Sequence, residues 1–101
     1  MYLKINDISI KLKQFTIYHY TEDGLDSRLY GEIDPSENLT TISEDLSDIY
    51  NTDIKGLQVY SDVDLQDVIW SNGVDFRITS IVETIDEQGT ILKSIELKFA
   101  D

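Results

Sequence analysis

The chain has 101 residues, enough for one domain whose core folds unaided and too few for a second. It has no cysteine, which excludes disulfides and thiolate metal centres, and no apolar run near the length that crosses a bilayer. Its net charge of −12 opposes contact with nucleic-acid phosphates and favours basic partners.

The segment Met1-Tyr2-Leu3-Lys4-Ile5-Asn6-Asp7 lacks the continuous apolar stretch of a signal peptide, so a soluble, non-secreted protein is expected. Next, Ile8, Ile10 and Leu12 occupy even positions while Phe15 and Ile17 occupy odd ones. A single strand can hold both sets inside only with a bulge near Lys13-Gln14; two shorter strands would serve as well. Asp23-Gly24 is a turn signal, Leu29 and Ile33 flank Gly31 in a short strand, and Pro35 ends it.

Residues 36–51 are the one helix candidate. Leu39, Ile42, Leu46 and Ile49 fall on a single helical stripe, Ser36 suits the N-cap, and Glu44, Asp45 and Asp48 make the opposite face acidic. Thr40 and Thr41 weaken helix propensity, so an ordered loop is the competing form. Asn51-Thr52-Asp53 with Lys55-Gly56 has loop character, and Leu57 to Tyr60 resumes a strand.

From Asp67 to Phe99 the pattern predicts three strands joined by two turns. The first turn is expected at Asn72-Gly73, a pair that tolerates the positive φ of a two-residue hairpin. The second is Asp86-Glu87-Gln88-Gly89, where an acidic opener and a fourth-place glycine suit a type I turn closed by a left-handed residue. Beyond it Ile91, Ile95, Leu97 and Phe99 alternate with Thr90, Ser94, Glu96 and Lys98, a half-buried strand. The domain, residues 1–101, is therefore mainly β.

Charge is unevenly placed. Residues 1–28 balance four acids with four bases, whereas residues 29–76 carry eleven acids against Lys55 alone, a surplus of ten. That surplus serves either solubility through self-repulsion or a specific basic partner.

Catalytic chemistry has little to draw on. His19 is the only histidine and lies in the apolar stretch from Phe15 to Tyr20, and no Gly-x-Ser-x-Gly elbow supplies a nucleophile. No enzyme activity, active site, cofactor or metal is expected. Asp62-Val63-Asp64-Leu65-Gln66-Asp67 opens like a calcium loop, but Asp67 stands where the sharp turn needs glycine and Gly73 where a closing glutamate belongs, so an acidic turn is favoured. Tyr18, Tyr20, Tyr30, Tyr50 and Tyr60 with Trp70 lack the interleaved lysines and arginines of a nucleic-acid stacking platform and suit core or subunit-interface packing.

The order Tyr30-Gly31-Glu32-Ile33, a variable segment, Val59-Tyr60-Ser61, then Asp67-Val68-Ile69 through Gly73 to Phe76-Arg77-Ile78 and Gly89 resembles the small head-completion proteins of tailed bacteriophages, the head–tail connectors or stoppers. Phe76 stands where that pattern has tyrosine. The resemblance covers about residues 29–99. It implies a small antiparallel β-barrel or sandwich with a short helix or ordered loop inserted at about residues 36–56. It also implies a homo-oligomeric ring in the virion, contacting the portal or its adaptor on one side and the tail on the other and helping retain packaged DNA. Under it, the candidate interface and loop residues are Glu44, Asp45, Asp48, Tyr50, Asp53, Asp62 and Asp64, with an acidic channel lining along which DNA slides rather than sticks. Two other readings stand beside it: an acidic inhibitor that imitates DNA and blocks a host nucleic-acid-binding protein, or another tail or baseplate protein.

Overall fold

A computed structural model describes residues 1–19, 27–50, 52–62 and 64–99, with the backbone alone at His19 and Asn72. Six strands and one helix follow in chain order: β1 (Tyr2–Ile5), β2 (Ile8–His19), β3 (Ser27–Ile33), α1 (Leu39–Asp45), β4 (Ile54–Tyr60), β5 (Val68–Ile85) and β6 (Ile91–Phe99). The strands close into an antiparallel barrel in the order β1-β2-β3-β6-β5-β4. Closure fills the interior with the inward member of each alternating pair, so Leu3, Ile10, Leu29, Val59, Ile78 and Leu97 are all fully buried. Asp23-Gly24 and Tyr20 lie outside the described residues.

The two apolar sets of β2 are both accommodated. Leu12 pairs with Ile33 and Gln14 with Glu32, so Lys13 is one residue too many for its partner strand and bulges out. The bulge flips the phase, and Phe15 and Ile17 join Ile10 and Leu12 against the core. Ahead of it, β1 turns into β2 through Asn6-Asp7, with Asn6 at φ 52°, a left-handed conformation that asparagine tolerates better than most residues.

Asn72-Gly73 does not turn the chain. β5 runs unbroken from Val68 to Ile85, and Asn72 sits opposite Leu57 in the ladder with β4. The β4–β5 connection is instead residues 61–67, where the Ser61 N–H donates to the Asp67 carbonyl at 2.9 Å. A reversal at Gly73 would have removed the partner of β4; pairing along the whole of β4 outweighs the local turn preference. The glycine still marks a departure from regularity. Two β5 residues, Gly73 and Val74, face Gly56 alone, and Gly56 takes φ 73° to make the bulge. Lys55-Gly56, expected as loop, is therefore strand.

The second turn forms where expected. The Gly89 N–H donates to the Asp86 carbonyl at 3.0 Å, Asp86 Oδ1 accepts from the N–H groups of Gln88 and Thr90, and Gly89 is left-handed at φ 82°. The two glycines should thus respond differently to valine. Gly89→Val is expected to destabilise by about 1–3 kcal/mol through its φ. Gly73→Val, with ordinary φ and nothing within 4 Å of a new Cβ, should stay within about 0.5 kcal/mol. Urea midpoints of the two variants measure the difference.

The segment between β3 and β4 crosses one mouth of the barrel. Ser36 is not the N-cap: its N–H and hydroxyl both donate to Asp34 Oδ1, at 2.9 and 2.7 Å, and hold a turn before the helix. Asn38 caps instead, its Oδ1 accepting the Thr41 N–H at 3.0 Å, which shortens the helix to seven residues. The stripe nevertheless faces inward. Ile42 and Leu46 are buried in the core, with Leu39 and Ile49 packed against it.

Candidate interaction surface

The acidic candidates separate by what surrounds them. Glu44, Asp45 and Asp48 are exposed on the solvent side of α1 and the turn after it, as their positions opposite the Ile42-Leu46 stripe require. Asp64 is also exposed, in the 61–67 connection. Asp62 is occupied with that connection itself: its Oδ1 accepts the N–H groups of Gln66 and Asp67 at 3.1 and 3.0 Å, and Asp67 Oδ2 accepts the Ser61 hydroxyl at 2.7 Å. With its near oxygen so engaged, Asp62 acts as a turn-former, and Val63 lies outside the described residues. Among the described residues no group of three or more histidine, cysteine, aspartate or glutamate side chains could hold a metal ion. The His19 side chain lies outside that description.

Tyr50 and Asp53 tie the crossing segment to β5. The Tyr50 hydroxyl donates to the Thr79 carbonyl at 3.0 Å, and Arg77 Nε donates to Asp53 Oδ1 at 2.5 Å. The hydrogen bond and charge of Arg77 hold the Asp53 carboxyl below its ordinary value, and Asp53 in turn raises Arg77. Asp34 is lowered in the same way, first by the Ser36 hydroxyl, then by the Ser36 N–H, with smaller help from Lys11 and Lys13.

Because both carboxyls are depressed in the folded state, the stability they add is present above the unfolded aspartate value of about 3.9 and is lost as pH falls through the lower folded values. Carboxyl-carbon titration by NMR should therefore give Asp34 and Asp53 midpoints below about 3.9. Midpoints at or above it would contradict the hydrogen bonds.

The aromatic residues divide between core and surface. Trp70 lies between Phe15 and Phe99, ring centroids 6.0 and 5.9 Å away in tilted geometry, and Tyr60 is buried with its hydroxyl donating to Gln58 Oε1 at 2.7 Å. Tyr18, Tyr30 and Tyr50 are exposed.

A second surface escapes sequence reasoning. The last ladder pair between β4 and β5 is Ile54 with Phe76, yet β5 continues to Ile85, paired from there on with β6 alone. The β5–β6 hairpin thus extends past the β4 pairing as an arm, which stays joined to β3 through Lys93–Lys98 of β6 and outruns both neighbours over residues 84–92. Ile85, Ile91, Val82 and Leu92 on it are 69%, 49%, 44% and 40% exposed. Ile85 faces Ile91 on one side of the arm; Val82 and Leu92 lie diagonally on the other. The expected alternation places Ile91 inside with Ile95, but it points beyond the end of the barrel, where the inner face has no opposite wall. No local signal marks this surface in the sequence, because it arises from eighteen residues in β5 against seven in β4, and the Asn72-Gly73 turn signal divides β5 in the sequence.

The inner face of the arm borders α1. Lys93, opposite Glu83, donates from Nζ to the carbonyls of Pro35 and Glu37 at 3.1 and 2.7 Å and so fixes the crossing segment to the arm. Between them lies an open groove of about 620 Å³ with Glu44, Ser43 and Ser47 on the helix side and Glu83 and Lys93 on the arm side. Comparison with known protein families, curated proteins and solved structures found no match. No helix is long and apolar enough to cross a membrane among the described residues.

Proposed function

We propose that this protein is a structural assembly component, a ring-forming head–tail connector or stopper of a tailed bacteriophage that joins the portal or its adaptor to the tail and helps retain packaged DNA in the virion. The observation that carries the reading is the arm: a small closed barrel that projects a hairpin with apolar side chains on both faces is shaped for contact with other subunits, since such exposure is costly for a chain that stays alone. The resemblance of residues 29–99 to head-completion proteins supports the same assignment, and so does a crossing segment whose acidic side faces solvent at one mouth of the barrel. No catalytic step forms part of the reading.

The DNA-mimic reading draws on the exposed trio Glu44, Asp45 and Asp48. Against it, several other carboxylates of the acidic middle are engaged in local bonds rather than arrayed outward: Asp34 with Ser36, Asp53 with Arg77, Asp62 with two loop N–H groups, and Glu32 with Gln14 at 2.8 Å.

Reversing Glu44, Asp45 and Asp48 to lysine tests both. The fold should persist, with stability changed by no more than about 0.5 kcal/mol per site. A connector should still enter rings with portal or adaptor, seen by electron microscopy of the mixture. Wild-type protein that displaces DNA from a host enzyme, loses this on reversal and never joins phage rings would overturn the connector assignment.

A further inference from the structure

The arm has an unpaired side as well as exposed faces. Past Phe76 no strand lies on the outer side of β5, and past Thr79, whose carbonyl is taken by Tyr50, the segment Ser80-Ile81-Val82-Glu83-Thr84-Ile85 has no strand paired to its edge among the described residues, while α1 approaches β5 across the groove on the inner side. Edges of this kind are usually protected by lysine, proline or a covering loop. This one carries none of those residues, and four of its six are β-branched, the composition that favours further pairing.

Register tells which backbone groups are free. The Asp86 N–H donates to the Thr90 carbonyl at 3.0 Å, so Asp86 and Thr90 face each other across a bonded position. Bonded and non-bonded pairs alternate along an antiparallel ladder, which makes Thr84/Leu92, Val82/Ser94 and Ser80/Glu96 the bonded pairs. The N–H and carbonyl groups of Ile81, Glu83 and Ile85 therefore point to the open side.

We propose that this edge receives an extended strand from a partner protein in which basic residues alternate with aliphatic ones. Strand addition would satisfy the outward groups of Ile81, Glu83 and Ile85. Side chains of the added strand opposite these three lie on the inner face, where the groove presents the carboxylates of Glu83 and Glu44 while Lys93 is spent on Pro35 and Glu37; lysine or arginine complements that charge. Those opposite Val82 and Thr84 lie on the outer face beside Val82 and Leu92, where an aliphatic group covers exposed apolar surface. A second copy of the chain is a poor occupant. Antiparallel pairing of two such edges brings Glu83 close to its own counterpart at the centre of the pairing. The inference goes beyond the connector reading and does not depend on it.

The test is a titration of the full-length, ¹⁵N-labelled chain with an acetylated, amidated Lys-Val hexapeptide repeat, and with the Glu-Val repeat as control. Saturable shifts centred on the Ile81, Glu83 and Ile85 amides, with these amides becoming protected from exchange, are expected from the lysine peptide alone. Glu83→Pro, which removes an outward N–H and no hairpin bond, and Glu83→Lys, which reverses the charge, should each weaken binding by about tenfold or more. Should the proline variant fail to fold, the lysine variant decides. Absent shifts, shifts centred on another strand, equal binding of the glutamate peptide, or shifts of the same three amides that depend on protein concentration without peptide would each overturn the proposal, the last in favour of self-pairing.

Discussion

Phe76→Ala is expected to lower the free energy of unfolding by about 3–5 kcal/mol, a large part of what a domain of this size has. Phe76 is fully buried and occupies the position where three strands meet: it faces Ile54 on β4 and Phe99 on β6, and among the described residues it alone on β5 is paired on both sides. Removing the ring opens a cavity that neighbours held by two ladders cannot close. Urea denaturation measures the change, and a loss of less than about 1 kcal/mol would mean that the barrel collapses around the vacancy. The same comparison separates core from arm, because truncating Ile85, 69% exposed, removes little buried area and should leave the midpoint almost unchanged.

Leu46→Ala should cost about 2–5 kcal/mol, although Leu46 lies just past a seven-residue helix that would not be stable alone. Its side chain is fully buried among the barrel residues, so it acts as a plug at the mouth of the barrel. The neighbouring carboxylates contribute almost nothing to the same measurement. Amide exchange gives a second readout: loosening the plug should speed exchange at Ile42 and Ile49 far more than at Leu29 or Leu97. Equal effects everywhere would indicate that the crossing segment and the barrel unfold as one unit.

The candidate residues named from charge divide along a line that sequence cannot draw. Glu44, Asp45, Asp48 and Asp64 are free to meet a partner, whereas Asp53 and Asp62 are committed to Arg77 and to loop N–H groups. A carboxylate twenty-four positions from its arginine leaves no local trace of the pairing. The arm residues Val82, Ile85, Ile91 and Leu92 were hidden for the opposite reason: aliphatic alternation in a strand predicts burial and says nothing of where the opposing wall ends.

What the sequence by itself determined is the part governed by neighbours a few residues apart. The phase change between Leu12 and Phe15 called for either a bulge or a break between two strands, the Leu39-Ile42-Leu46-Ile49 spacing set the inward side of the helix, and Asp86 with Gly89 set a turn through one carboxylate and one left-handed backbone. Tertiary structure decided what depends on partners far along the chain. Asn72-Gly73 could turn or bulge, and the presence of β4 alongside made it bulge. It also decided that β5 outruns β4, since the free edge of the arm arises only from the difference between two strand lengths brought together by barrel closure.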